Sequence, residues 1–293
     1  MHPDALPERT IATDGVLLVD KPPGVTSHDV VAIARRVTGT RRIGHTGTLD
    51  PFATGLLVLL VGRGTRLIPY VQGEPKVYEA TIRFGAETTT DDLTGEVTRE
   101  SELPVSEDID RAVASLTGVI TQRPPDYSAK QVAGRRAYVA ARAGEPLALT
   151  PTQVTVHEWR IGRRSHSEID VTVVCGGGTY IRALARDLGR AVGSAAHLSA
   201  LRRTRSGVFD VANAFSIDEL QEHLAKLAPL TSAIPQIPVQ RLTAEEVERA
   251  RHGNTIEARA EGEIVALCED DNLLAIARRD GAVLQPRLVM YHD

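Results

Sequence analysis

Hydrophobic and polar positions along the chain follow two alternating periods, and the switches between them mark the elements. The run "GVLLVDK" from Gly15 reads as a short strand, and a Pro-Pro-Gly turn follows it. Ser27 is then expected to cap a helix that stops at Gly39. "LLVLLVG" from Leu56 is apolar without interruption and too short for a helix, which predicts a buried strand. "KVYEATIRFG" from Lys76 alternates with period two and predicts a strand with one buried face. "SEDIDRAVASLTG" from Ser106 has the spacing of an amphipathic helix. "EIDVTVVC" from Glu168 predicts another strand. A triple glycine and a helix follow, and the first helical turn carries Tyr180 and Arg182.

Two stretches break this rhythm. From Gln122 to Pro151 the chain is loop-rich and basic, with two tyrosines and a short predicted helix, and it reads as an insertion. "PLTSAIPQIPVQ" from Pro229 holds three prolines and few charges, so a boundary is expected there, with residues 1–234 as the main body and 235–293 as a small module. That module should hold the helix "TAEEVERARHG" and three short strands. No internal repeat appears.

With 293 residues and 42% hydrophobic content the chain has enough apolar material for a sizeable core. No N-terminal stretch has the order of a signal peptide, and no apolar run approaches a bilayer's width, so a cytoplasmic protein is expected. Cys175 and Cys268 are too few for a disulfide framework or a zinc site.

The net charge of -4 conceals a segregation that matters more than the sum. From Ile33 to Arg66 the only acid is Asp50, among six arginines, and from Thr179 to Gly207 the only acid is Asp187, again among six. Acids are pooled from Glu87 to Asp110. Arginine's planar fork suits phosphate oxygens and stacks on bases, so nucleic acid is a candidate partner; solvated helix faces are the plainer reading.

The candidate chemistry sits in "GHTGTLDPFATG", residues 44–55, where a single carboxylate stands between glycines. His45 and Asp50 are too few ligands for a metal. A glycosidase needs a second carboxylate, which this basic stretch lacks. The Gly-Lys-Ser/Thr of a Walker loop is absent. What remains is a carboxylate whose arginine neighbours favour its ionised form, suited to act as nucleophile or base, or else an ordinary turn residue.

The longer string "GHTGTLDPFATGLLVLLVGRGTR" resembles the catalytic motif of the TruB family, the tRNA pseudouridine-55 synthases. "LLVDKPPGVTSHDVV", "KVYEATIRFG", "GTYIRALARDLG" and "AHLSALRRTRSG" resemble further motifs of that family, in order, across roughly residues 15 to 210. The resemblance implies an α+β fold with a mixed, mostly antiparallel central sheet flanked by helices and a small β-rich, PUA-like tail. It implies isomerisation of a tRNA T-loop uridine by base flipping, without a cofactor or metal. Residue by residue, it makes Asp50 the catalytic aspartate, attacking either the ribose C1′ or the base, and Arg182 its partner. Tyr78 becomes the tyrosine stacked on the target base, and His45 the residue filling the space of the flipped uridine. Tyr180 and Leu201 would line the base pocket, Lys21 would support the catalytic loop, and Arg135 and Arg136 would lie in a mobile RNA-gripping insertion. Partners are then tRNA alone, with no obligate protein partner and a monomeric enzyme. Two competing expectations are a synthase working inside a guide-RNA particle and an RNA chaperone whose isomerase activity is incidental.

Overall fold

The structure, a computed structural model, describes residues 14–132, 134–222 and 226–290. Its main sheet is mixed and mostly antiparallel. β1 (Gly15–Lys21) pairs with β3 (Thr54–Val61), which also pairs with the short β2 (Ile43–His45). The order continues from β3 through β12 (Ala196–Ser206), β4 (Lys76–Phe84), β11 (Glu168–Cys175) and β10 (Thr152–Arg164) to β7 (Gly118–Gln122). The short β13 (Phe209–Asp210) also pairs with β12, α5 (Ile217–Gln221) follows it, and only the short β3 to β12 contact is parallel in this sheet. At that contact Gly55 has φ +100, and a Cβ there would overlap the Arg203 backbone, so glycine is required.

The two strand patterns in the sequence have different causes. β4 alternates because one face is covered: Tyr78, Ala80, Ile82 and Phe84 pack with helix α4 (Ile181–Ala191) and with α2 (Ser106–Ser115). β3 is apolar throughout because both faces are covered. Leu57, Leu59 and Val61 meet Val30, Val31 and Ala34 of α1 (Ser27–Thr38), whereas Leu56, Val58 and Leu60 meet Ala233, Ile234, Ile237 and Ile276. The second cover is therefore the C-terminal segment itself.

That segment forms a five-stranded sheet. β14 (Val239–Arg241), β16 (Ile264–Glu269), β17 (Asn272–Asp280), β18 (Val283–Val289) and β15 (Ile256–Glu257) follow in that order, with α6 (Ala244–Arg251) packed on the sheet. Two more strands than expected appear because β14 and β15 are too short to show a period. The insertion holds the two-residue strands β8 (Gln131–Val132) and β9 (Arg135–Arg136) and the short helix α3 (Ala137–Arg142). The acidic segment begins as a hairpin, β5 (Ala86–Thr88) and β6 (Val97–Glu100). Among the described residues no helix is long and apolar enough to cross a membrane.

One expected cap moves by a residue. Thr26 caps α1, in a reciprocal box with Asp29, and Ser27 is the first helical residue. Its hydroxyl is thereby free for the loop that carries Asp50.

Candidate active site

The loop carrying Asp50 is held on both sides by the segment after β1. Ser27 Oγ accepts the Leu49 N–H at 2.9 Å and donates to the Leu49 carbonyl at 3.0 Å. Lys21, fully buried, donates to the carbonyls of Pro22, Val25 and Pro51 at 2.9, 2.8 and 3.2 Å. An ammonium has three donors, and here each has an acceptor. Burial pushes the Lys21 pKa down to about 8, against the opposing pull of Asp50 and Asp29. Lys21 thus anchors the loop from the buried side, while the Asp50 side chain is one-third exposed.

Arg182, in the first turn of α4, meets Asp50 as a fork: Nε to Oδ2 at 2.8 Å and Nη2 to Oδ1 at 3.1 Å. Its remaining donors go to the Thr90 carbonyl at 2.6 Å and the Tyr127 carbonyl at 2.7 Å. With a side chain 4% exposed and every nitrogen occupied, this guanidinium is fixed before any substrate arrives. A second carboxylate, Asp92, stands 3.8 Å from Arg182 Nε. The linear stretch around Asp50 lacks another acid, but the fold supplies one from the β5–β6 turn.

Asp50, Tyr78, Tyr180, Arg182 and Leu201 line one cavity of about 250 Å³. Burial pushes the Tyr78 phenol up, with the Arg203 guanidinium working the other way, and burial likewise raises Tyr180. Both rings therefore enter as neutral phenols, which suits stacking and works against a phenolate base at Tyr78. Lys76 and Arg203 complete the wall. The sequence reading missed both, although period two places Lys76 on the face of Tyr78 and Arg203 on that of Leu201. Arg203 is 2% exposed and donates to the Leu56 and Gly47 carbonyls at 2.8 and 3.0 Å. Burial, reinforced by Arg203, lowers the Lys76 pKa.

Three expected site residues lie elsewhere. His45 ends β2, half-buried, outside the cavity wall, with no hydrogen-bond partner for Nδ1. Burial and then Arg203 and His28 lower its pKa, favouring the neutral imidazole. Arg135 and Arg136 are exposed on β9, Arg135 pairing loosely with Glu145 at 3.2 Å. The arginines from Thr179 to Gly207 need correction as a phosphate-binding set. Arg182, Arg186 and Arg203 are buried, Arg190 pairs with Glu87 at 2.7 Å, and Arg202 pairs with Asp20 at 2.7 Å. Much of that charge is spent on the framework, and the acidic segment from Glu87 supplies partners for Arg182, Arg186 and Arg190. Among the described residues no group of three or more His, Cys, Asp or Glu side chains is gathered as a metal site.

Sequence similarity to known proteins identifies the family. Residues 35–181 match the N-terminal domain of the TruB family pseudouridylate synthases, and residues 182–235 match the tRNA pseudouridylate synthase B C-terminal domain. The seam between the two matches falls beside Arg182, so the Asp50–Arg182 pair joins both. The tRNA pseudouridine synthase B of Thermobifida fusca is 47% identical over 291 residues, covering 94% of this chain and 98% of that one. Its counterpart from Leifsonia xyli is 49% identical over 252 residues, 83% of each chain. In fold, the chain resembles one in a crystal structure of a Cbf5-Nop10-Gar1 complex, with a TM-score of 0.70 at 23% identity over 95% of this chain and 85% of that one. By family match and by full-length relatives, this chain belongs to the TruB family of pseudouridylate synthases.

Proposed function

We propose that the protein converts uridine 55 in the T-loop of tRNA to pseudouridine as a stand-alone cytoplasmic enzyme. The observation that carries this reading is the bidentate Asp50–Arg182 pair, at 2.8 and 3.1 Å, opening into a small cavity with Tyr78, Tyr180 and Leu201 on its wall. The cavity admits one nucleoside and no duplex, so the target uridine must leave its stack, at a cost of a few kcal/mol.

In the reaction the N1–C1′ bond breaks, the uracil turns, C5 bonds to C1′, and the C5 proton departs while N1 gains one. Atoms and electrons balance within the substrate, so the chemistry calls for no redox partner. Asp50 is the nucleophile, at C1′ or at the base, and the Arg182 fork holds its carboxylate in place. Tyr78 and Tyr180 offer flat faces and neutral hydroxyls to the flipped base. Lys76, on the cavity wall beside Tyr78, supplies positive charge to the polyanionic substrate, while Arg203 holds that wall through the Leu56 and Gly47 carbonyls. His45, on β2 outside the cavity wall, fills the vacated place in the RNA loop.

The exposed insertion with Arg135 and Arg136 grips the RNA backbone. The PUA-like tail has a lesser share in this reading, since between Pro235 and Asp293 eleven acids stand against seven arginines. The relatives at 42–49% identity carry the name tRNA pseudouridine synthase B, which favours a free enzyme over one working in a guide-RNA particle.

The test uses purified protein and an unmodified tRNA transcript, with pseudouridine mapped at each nucleotide and Asp50→Asn run beside the wild type. Conversion of one T-loop uridine by the wild type alone supports the reading. No conversion of a bound RNA overturns it and leaves the chaperone, whose refolding of the T-loop Asp50→Asn would retain.

A further inference from the structure

Arg182, Arg186 and Arg190 recur every four residues and so share one face of α4. Each meets an acid of the β5–β6 hairpin: Asp92 at 3.8 Å, Asp91 at 2.9 Å and Glu87 at 2.7 Å respectively. The middle arginine is as buried as the catalytic one, at 4% side-chain exposure, and spends its fork in three directions. Nε goes to Asp187, Nη1 to Asp91 and Nη2 to the Arg123 carbonyl, each at 2.9 Å. Arg182, one turn earlier, reaches the same two segments through the Thr90 and Tyr127 carbonyls.

Consecutive arginines therefore clamp the hairpin turn at 90 and 91 and the root of the insertion at 123 and 127. Asp91 is one of two non-glycine residues with positive φ among those described, at +59. Its carbonyl accepts the Leu198 N–H at 3.1 Å, so the unusual backbone is held from both ends. Arg123 closes the root on itself through Asp126 at 2.7 Å.

We propose that Asp91 and Arg186 are positioning residues: their buried pair fixes the root of the insertion against the hairpin and so sets the two carbonyls that orient Arg182 on Asp50. The need for direction is why a charged pair stands where an apolar one would bind as well. A buried ion pair contributes little net stability against a hydrophobic replacement, but its fork fixes geometry that apolar contacts leave loose. The insertion that grips RNA and the carboxylate that reacts with it are thereby joined through adjacent turns of one helix.

The catalytic half of this inference rests on the proposed pseudouridine formation; the structural half does not. The double variant Asp91→Asn/Arg186→Gln removes both charges, so neither is left buried alone. Backbone amide exchange is measured throughout the RNA-free full-length enzyme, residues 88–92 and 123–142 included. The rate of conversion at saturating tRNA and the RNA affinity are measured in parallel. Faster exchange confined to the insertion and the 88–92 turn is expected, with a saturating rate lowered about tenfold or more by misplacement of the reacting group and little change in affinity. Unchanged exchange overturns the clamp whatever the activity. Faster exchange with an unchanged saturating rate overturns its link to Asp50. A wild type that modifies no tRNA, with exchange responding as expected, sinks the proposed function and leaves the clamp standing.

Discussion

The Ser27 hydroxyl holds both backbone groups of Leu49, accepting its N–H at 2.9 Å and donating to its carbonyl at 3.0 Å. Leu49 is 4% exposed, so its side chain plugs the core while the next residue, Asp50, is turned toward the cavity. A helix start and the Asp50 loop twenty-two residues along the chain are thus joined by one oxygen.

Ser27→Ala should leave a buried N–H and a buried carbonyl without partners, at a cost of about 1–3 kcal/mol. Because Asp50 is the adjacent residue, the turnover number should fall more than the Michaelis constant rises. Thermal melts and steady-state kinetics on tRNA check the two effects together; intact turnover would remove Ser27 from the positioning of Asp50.

Lys21 should give the pH profile an alkaline limb. Its folded pKa, about 8, is below the model-compound value of 10.5, so the charged form is disfavoured by folding below pH 8 and that penalty disappears between 8 and 10.5. Stability from this group therefore rises with pH. Activity should move the opposite way, since the neutral amine has two hydrogens for the three carbonyls of Pro22, Val25 and Pro51. A pH titration of the saturating rate should fall above about 8, and Lys21→Met should lose most turnover at every pH.

Arg135→Ala with Arg136→Ala should weaken RNA binding evenly across sequences and reduce the salt slope by up to about two, one counterion for each lost phosphate contact. Both side chains are exposed and neither is needed for the core, so the melting temperature should stay put. Binding isotherms over a salt series decide the matter, and an unchanged slope removes these two arginines from the interface.

The C-terminal sheet should unfold together with the main body. Ile276 is 1% exposed and belongs to the cluster that includes Leu56, Val58 and Leu60 of β3. Ile276→Ala should cost about 2–5 kcal/mol through a cavity in that shared core. Calorimetry should show a single transition shifted downward; a separate low-temperature transition for the tail would show that the shared core does not couple them.

Most strands and helices and the glycine-rich Asp50 loop were legible because each has a local cause. Period two marks β4, an unbroken apolar run marks β3, and glycine ends α1 at Gly39. The shift of the cap from Ser27 to Thr26 shows the limit of that reading, since both side chains suit the position. What favours Thr26 is its box with Asp29, and what occupies Ser27 is a loop far along the chain. β14 and β15 escaped because two or three residues carry no period.

By itself the sequence determined the elements, the lone Asp50 in its glycine loop, and the motif order that the family match reproduces. Those features are written in neighbouring residues, where spacing and side-chain chemistry act directly. Tertiary structure alone decided what neutralises the arginines, which carboxylate joins Asp50 across the chain, and what covers the second face of β3. Arg182 meets Thr90, Asp92 and Tyr127 only after the sheet brings them within hydrogen-bond reach, and no local pattern encodes a contact that spans ninety residues. The same holds for the C-terminal cover: the six apolar residues from Leu56 to Val61 announce that both faces are buried, but which surface does the burying is settled by packing.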